Sequence, residues 1–180
     1  MSDIRTDLAV TQSTFTATIN APLNTVDIAK WLFGLPEAEY QRCAPPDHIA
    51  CGSTITDDGR PMSINVEQVG PTLMVQHYVG EITEPHHCRL VSLSDLFTPY
   101  GRYNAQVIWD LSVTAVDADR CRFTNSVTAH PADNYLAALE EHGVAFEDAV
   151  KLSRPAGEDH NRRETPLFAA SIERAALGSR

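Results

Sequence analysis

Apolar and polar residues alternate with a period of two from about residue 48 to residue 129, and this pattern constrains the fold more than any other feature of the chain. Successive side chains of a β-strand point to opposite faces of a sheet, so the alternation predicts strands with one buried and one solvated face. Turn-forming residues interrupt it at positions 58–59, 70–71, 84–85 and 117–119. We therefore predict one antiparallel sheet that runs back and forth as a meander.

The turns separate six predicted strands, at residues 49–56, 61–69, 72–80, 88–97, 104–116 and 120–129. A seventh strand is predicted at residues 14–20, where threonines alternate with apolar residues. The clearest strand is 104–116, in which Val107, Trp109 and Leu111 share one face and polar residues occupy the other. The apolar face is predicted to be buried in the core and the polar face to be exposed to solvent.

Two short helices are predicted between the first strand and the meander. Asn24 or Thr25 can cap the first helix, which continues to Phe33. Pro36 suits the first turn of the second helix, at residues 37–42. The chain therefore begins with the order strand, helix, helix.

Helical periodicity returns after Pro131. It predicts a helix at residues 132–152, a charged connector at 153–165 and a last helix at 166–177. The last helix carries an apolar stripe, formed by Leu167, Phe168, Ile172 and Leu177. This stripe must be buried, because isolated helices of this length are marginal in water. It can pack on the domain's own surface, cover the mouth of a cavity, or pair with the same helix in a homodimer.

Charge and hydropathy exclude several classes of function. The 24 acidic and 14 basic side chains give a formal charge of -10, which repels a phosphate backbone and argues against nucleic-acid partners. The chain shows neither an export signal nor an apolar run long enough to cross a bilayer, so we expect a cytoplasmic protein without membrane insertion. Its four cysteines are widely spaced and are expected to be free thiols.

The order of elements resembles the helix-grip fold of the START-like, SRPBCC superfamily. The Ile-Asn-Ala-Pro end of the first strand, at residues 19–22, and the amphipathic helix after Pro131 add to the resemblance. It covers about residues 10–152 and implies an α+β fold, in which a curved antiparallel sheet of about seven strands wraps around a long C-terminal helix. We expect residues 1–180 to form one such domain, with the last helix as an addition to the core.

In this superfamily an apolar cavity between sheet and helix holds lipids, aromatic polyketides or other poorly soluble molecules. The resemblance therefore implies binding of a small hydrophobic or aromatic ligand, in a cavity of at least about 300 Å³. The alternative is an enzyme resembling the polyketide cyclases and dehydratases, which uses polar cavity residues and no cofactor. The residues expected to line the cavity, or else simply to fill the core, are Phe15, Ile64, Val107, Trp109, Leu111, Phe123, Asn125, Tyr135, Leu139 and Phe146.

Three polar residues share strand faces with apolar neighbours and are weak candidates for catalysis: His77, Asp95 and Asn125. Each needs a partner if it is buried, and an imidazole, a carboxylate and an amide on one wall could orient a carbonyl and move protons. The alternative is that each lies at a strand end or bulge, or is satisfied by the backbone. The enzyme hypothesis requires at least two of them to converge on one pocket.

Imidazoles and a thiol also occur together at His86, His87 and Cys88, close to His77 in the sequence. Both groups are good zinc ligands. Strand alternation sends His87 to the face opposite His86 and Cys88, so this run supplies two ligands at most. We therefore predict neither a metal site nor a cofactor here.

Overall fold

The computed structural model describes residues 3–98 and 101–178. The described residues form seven strands: β1 (Thr11–Ile19), β2 (His48–Ile55), β3 (Pro61–Val69), β4 (Thr72–Glu84), β5 (His87–Thr98), β6 (Gly101–Ala115) and β7 (Cys121–Pro131). They also form four α-helices: α1 (Ile28–Phe33), α2 (Glu37–Cys43), α3 (Asp133–Glu141) and α4 (Phe146–Gly178). A 3-10 turn at Leu23–Thr25 precedes α1.

The strands make one antiparallel sheet in the order β1-β7-β6-β5-β4-β3-β2. Strands β2 to β7 form the predicted meander, and β1 lies at the edge of the sheet, where it pairs with β7. The long helix α4 lies along β1 and also contacts β7 and β3. This is the α+β helix-grip arrangement that the sequence predicts, with the two short helices α1 and α2 after the first strand.

The inner face of β6 and β7, which faces α4, is apolar as predicted. Val107, Trp109 and Leu111 are each less than 5% exposed, as is Phe123 on β7. They belong to one core cluster with Phe168 of α4. Burial of such side chains contributes roughly 25 cal/mol per Å² of apolar surface, so this half of the sheet holds the helix in place.

The inner face is polar on β3, on β4 at Gln76 and Tyr78, and on β5 at Ser92 and Ser94, which the alternation does not predict. Its buried side chains pair along their own strand, two residues apart: Ser63 with Asn65 (2.9 Å), Gln76 with Tyr78 (2.9 Å) and Ser92 with Ser94 (3.0 Å). These hydrogen bonds offset the cost of burying polar groups. The apolar residues between them are half-buried or exposed on the outer face, opposite α4.

The predicted C-terminal elements are wrong in their boundaries. The helix expected at 132–152 is divided, because Gly143 adopts a left-handed φ of 66° after α3. The expected connector at 153–165 and the separate helix at 166–177 are both parts of α4, a single helix of 33 residues. The domain core therefore includes α4 and is not complete at residue 152.

Helix α4 continues through Pro155 and Pro166, although a proline in a helix interior costs about 3 kcal/mol. Its buried face compensates, because Phe168 and Ile172 are at most 1% exposed and lie in the core. Leu167 and Leu177, the other members of the predicted stripe, are 40% and 44% exposed. Two of the four residues of the predicted stripe, Phe168 and Ile172, are thus buried within the domain, and the other two are exposed.

The cap of α1 differs from the expected one, whereas the cysteines are as expected. The N-cap of α1 is Asp27, whose carboxylate accepts a hydrogen bond from the Lys30 amide (2.8 Å), rather than Asn24 or Thr25. The four cysteines, all among the described residues, are free thiols as expected. Within the described part of the chain, no helix is both long and apolar enough to span a membrane.

Candidate functional site

Four titratable side chains meet where α4 crosses the polar half of the sheet, and we call them the His–Glu cluster: His48, Glu67, His160 and Glu164. His160 and Glu164 lie one turn apart on the same side of α4. Glu67 lies on the inner face of β3, and His48, at the start of β2, pairs with it in the sheet register. Two strands and one helix therefore build the cluster.

Each imidazole of the cluster faces both carboxylates. The Nε2 atom of His48 lies 3.2 Å from Glu164 Oε2 and 3.8 Å from Glu67 Oε1. The Nε2 atom of His160 lies 3.4 Å from Glu164 Oε2 and 3.7 Å from Glu67 Oε2. All four side chains are at most 9% exposed, so these charges interact in a medium of low dielectric constant.

Hydrogen bonds outside the cluster fix the orientation of both rings. The Nδ1 atom of His48 lies 2.7 Å from the backbone carbonyl oxygen of Tyr40. The Nδ1 atom of His160 lies 2.9 Å from Asp47 Oδ2. A carbonyl or carboxylate oxygen only accepts, so each Nδ1 carries a proton and each Nε2 points into the cluster.

The two carboxylates are also held from outside. The hydroxyl of Tyr40 donates to Glu67 Oε1, and the side-chain amide of Asn125 donates to Glu164 Oε1 at 3.0 Å. Asn125 in turn accepts a hydrogen bond from Trp109 Nε1 at 2.9 Å. The second oxygen of Glu164 faces both imidazoles, whereas each oxygen of Glu67 faces one of them: Oε1 faces His48 and Oε2 faces His160.

Burial and charge shift the pKa values of the helix pair in opposite directions. Burial alone would lower the pKa of His160, but Glu164, Glu67 and Asp47 outweigh it and raise the pKa to about 10. Burial would raise the pKa of Glu164, but His160 and His48 hold it low. The pair is therefore ionised at neutral pH. Burial and the nearby Glu67 also keep the Tyr40 hydroxyl protonated, with its pKa well above the usual value.

A cavity of about 80 Å³ adjoins the cluster, between the sheet and α4. Its apolar lining comprises Val69, Met74, Val107, Trp109, Val127 and Ala129. Its polar lining includes Asn65, Glu67, Gln76, Tyr78, His160, Asn161 and Glu164. The cavity lies where the resemblance implies one, but it is well below the expected 300 Å³ and polar side chains share its lining.

A wider open groove of about 670 Å³ lies elsewhere, between α1, α2 and the C-terminal part of α4. None of the cluster residues lines it. Its charged side chains include Glu39, Arg42 and Arg174, and Glu39 accepts hydrogen bonds from both arginines. These charges are therefore already paired within the protein.

The residues expected to line the cavity are distributed between three environments. Val107 and Trp109 line it, and Asn125 adjoins it through Glu164. Those found elsewhere on the inner side are Phe15 on β1, Leu111 and Phe123 in the sheet core, Tyr135 and Leu139 on α3, and Phe146 at the start of α4. Ile64 is wrong as a cavity residue, because β3 turns Ser63 and Asn65 inward and Ile64 outward.

Two of the three catalytic candidates are also on the wrong face. Gln76 and Tyr78 point inward on β4, so His77 lies on the outer face. Asp95 lies on the same outer face and accepts hydrogen bonds from Nε and Nη2 of Arg102, at 3.0 and 2.9 Å. Of the three, Asn125 alone reaches the interior, and the convergence that the enzyme hypothesis required of them does not occur.

The His86, His87 and Cys88 run does not converge on a metal position. His86 Nε2 lies 3.0 Å from the backbone oxygen of Leu23, whereas His87 Nε2 lies 3.2 Å from Asp110 Oδ1. The Cys88 thiol is buried, and burial raises its pKa to about 12. A thiol that stays protonated is a poor metal ligand.

The sequence pattern does not predict the His–Glu cluster. His160 and Glu164 are spaced i, i+4, as one helix face requires, but the sequence predicts a connector at residues 153–165. Glu67 shares parity with Ser63 and Asn65, which identifies a polar face without showing that it is buried. A continuous α4 would have made the first of these patterns visible.

Comparisons with known proteins identify the fold. No protein-family model and no curated protein matches the sequence. A START superfamily protein from Mycobacterium smegmatis is similar in structure, with a TM-score of 0.54 and 16% identity over 94% of this chain and 99% of that protein. The ZhuI aromatase/cyclase of Streptomyces sp. R1128 is similar at a TM-score of 0.52 and 13% identity, over 98% and 93% of the two chains.

Norcoclaurine synthase of Thalictrum flavum is also similar in structure. Its TM-score is 0.51, with 11% identity over 99% of this chain and 98% of the enzyme. At these identities the comparison establishes a shared fold, and function must be argued from the site.

Proposed function

Because the chain has the helix-grip fold of the START-like, SRPBCC superfamily, we propose that it binds a small organic molecule in the cavity between the sheet and α4. The observation that carries the proposal is the division of the cavity into two walls. Val107, Val127 and Ala129 form an apolar wall, and His160 and Glu164 belong to the polar wall facing the same space. Such a pocket binds a ligand through its apolar part and orients it by its polar end.

The volume restricts what can enter. A dry cavity of about 150 Å³ binds benzene, so a cavity of about 80 Å³ holds less than one aromatic ring. A larger aromatic ligand requires movement of Met74, the flexible side chain in the lining. We therefore propose that the buried part of the ligand is a small polar group, such as a carboxylate, phenol hydroxyl or carbonyl.

A second candidate is an enzyme that moves protons on the bound molecule. The buried His160–Glu164 pair favours it, because an imidazole and a carboxylate 3.4 Å apart can exchange roles as acid and base. Two of the structurally similar proteins, an aromatase/cyclase and a synthase, are enzymes by name. If the protein is such an enzyme, we expect His160→Gln to abolish turnover of a ligand once one is identified, while the ligand still binds.

Binding can be measured by tryptophan fluorescence. The chain has two tryptophans, and Trp31→Phe leaves Trp109, in the cavity wall, as the reporter. We expect at least one compound from a panel of small carboxylates, phenols and carbonyl compounds to change its emission. Ala129→Leu fills the cavity and should weaken that binding at least about tenfold, or about 1.4 kcal/mol.

Thr128→Leu is the matched control, because Thr128 adjoins Ala129 on β7 and lies on the opposite face of the sheet. It should bind like the parent. A panel without binders up to about 1 mM (about 4 kcal/mol), or binding unaffected by Ala129→Leu in a folded variant, would contradict the proposal.

A further inference from the structure

The His–Glu cluster combines ligand types that divalent transition metals prefer. Ligand atoms of His48, Glu67 and His160 all lie within 4.8 Å of one another, and Glu164 lies between the two imidazoles. Imidazole nitrogen with carboxylate oxygen is a common zinc set, whereas Ca²⁺ and Mg²⁺ favour oxygen ligands throughout. The geometry points to a divalent metal site at the cluster, with Zn²⁺ as the best fit.

The spacing of the four side chains supports this proposal. Zinc bonds of about 2.0–2.1 Å to nitrogen and oxygen place the corners of a tetrahedron about 3.3–3.4 Å apart. The two imidazole nitrogens lie 3.2 and 3.4 Å from the same oxygen of Glu164, and 3.8 and 3.7 Å from one oxygen each of Glu67. Charge-assisted hydrogen bonds are shorter, at about 2.7–2.9 Å. The cluster is therefore more open than a set of hydrogen-bonded ion pairs, and close to the size that an ion requires.

An unpartnered atom points independently to a missing ligand. The side chain of His48 is fully buried, and among the described residues its Nε2 atom has no hydrogen-bond partner. Glu164 Oε2 lies 3.2 Å away but outside hydrogen-bonding geometry. Because Nδ1 is committed to the carbonyl of Tyr40, a neutral ring leaves a lone pair on Nε2 directed into the cluster. Buried polar atoms rarely remain unpaired.

The outer contacts are those that metal ligands usually have. Asp47 accepts from the Nδ1 of His160, which makes a carboxylate–histidine pair with Nε2 directed at the site. Tyr40 donates to Glu67. Such contacts fix the tautomer of a ligating imidazole and the orientation of a ligating carboxylate. All four side chains are therefore oriented before an ion arrives, and the ion takes the place of the Nε2 proton of His160, which is released to solvent.

A bound ion would be accessible from the cavity, because Glu67, His160 and Glu164 line it. The polar end of the proposed organic ligand could then reach the metal. This contact between ligand and metal is the one part of the inference that rests on the proposed function. The metal site does not, since it depends only on the four side chains and their outer contacts.

The test is metal binding without any organic ligand. Chelator-treated protein is titrated with Co²⁺, followed by its visible absorption, and with Zn²⁺ in competition with a chromophoric chelator. We expect one ion per chain. His48→Gln and Glu164→Gln, which conserve shape, should each weaken binding by more than about tenfold. Asp47→Asn should weaken it by about 10–100-fold, since it acts through His160.

His77→Gln is the matched control, because His77 is half-buried on the outer face of the sheet. It should bind like the parent. Zn²⁺ should also raise the melting temperature of the parent and of His77→Gln. This measurement tests the site even if a cluster variant does not fold. Absence of stoichiometric binding, or binding that persists unchanged in folded His48→Gln and Glu164→Gln, would overturn the proposal. Neither result bears on the fluorescence test of ligand binding.

Discussion

Asn125 connects the sheet to α4 through its side-chain amide. It accepts from Trp109 Nε1 and donates to Glu164 Oε1 and to Thr165 Oγ1, at 2.9, 3.0 and 3.2 Å. The sequence predicts Asn125 on an inward face correctly, because the apolar residues of β7 show which parity is buried. It fails for His77 and Asp95, because the outer face is the more apolar one on β4, and on β5 two serines, Ser92 and Ser94, occupy the inner face close to Asp95. Alternation defines two faces without identifying the inner one.

Asn125→Ala tests this connection. It leaves the Trp109 N–H and one oxygen of ionised Glu164 without a partner in the interior, and each such group costs about 1–3 kcal/mol. We expect a loss of about 2–4 kcal/mol in the free energy of unfolding, measured by urea titration. Thr124→Ala, on the outer face of the same strand, should change it by less than about 0.5 kcal/mol. Equal effects of the two variants would show that the amide network is not what stabilises this contact.

At the scale of elements, α4 is what sequence reasoning could not reproduce. Pro155 and Pro166 are strong local reasons to end a helix, and local propensity favours the predicted break. The helix persists because its contacts with β1, β7 and β3 are non-local. The predicted strands agree with the observed ones to within a few residues, because the period and the turns of a strand are local features. The sequence does not predict the His–Glu cluster for the same reason: two of its members lie on the part of α4 that only non-local contacts keep helical.

The contact between α2 and α4 gives a pH-dependent prediction. Burial raises the pKa of Glu39, but hydrogen bonds from Arg42, Arg174 and Ser171 outweigh it and lower the pKa to about 2. A lowered carboxyl pKa contributes stability above the unfolded value of 4.5, and this contribution is lost as the pH falls towards 2. Arg174→Gln should therefore destabilise the protein near neutral pH, by about 0.5–1 kcal/mol for this partly exposed pair.

Urea titrations from about pH 7 down to about pH 3 should show the difference between Arg174→Gln and the parent becoming smaller as Glu39 gains a proton. Lys151→Gln breaks the exposed pair of Lys151 with Asp148 on the same helix and should be indistinguishable from the parent. A difference that stays constant with pH would assign the effect of Arg174 to the packing of its alkyl chain.

At the scale of the whole molecule, the expected division into a complete core and an added helix does not exist. Phe168 and Ile172 fill the core from α4, and His160 and Glu164 supply half of the cluster. A chain that ends at residue 154 should therefore fail to fold, because losing large core side chains at about 2–5 kcal/mol each removes most of a typical stability. Circular dichroism and a urea titration would show the absence of a cooperative transition.

A chain that ends at Ala176 is the control, since it removes little beyond the exposed Leu177, and it should fold. A cooperatively folding product from the shorter chain would contradict the role given to α4. Light scattering of the parent tests the homodimer, which remains a prediction. Within the predicted stripe, only Leu167 and Leu177 are exposed and free to bury against a second chain.

The paired polar residues on the inner face of β3, β4 and β5 have an evolutionary consequence. Replacing Tyr78 by Phe removes the acceptor of the buried Gln76 side-chain amide, so single substitutions in such a pair should be selected against. Replacing both by apolar residues can be nearly neutral. Change on this face should therefore proceed by double substitutions two positions apart on one strand. Homologues of this chain would then show Ser63 varying with Asn65 and Gln76 with Tyr78, and such paired changes would alter which molecules the interior accepts while the fold is kept.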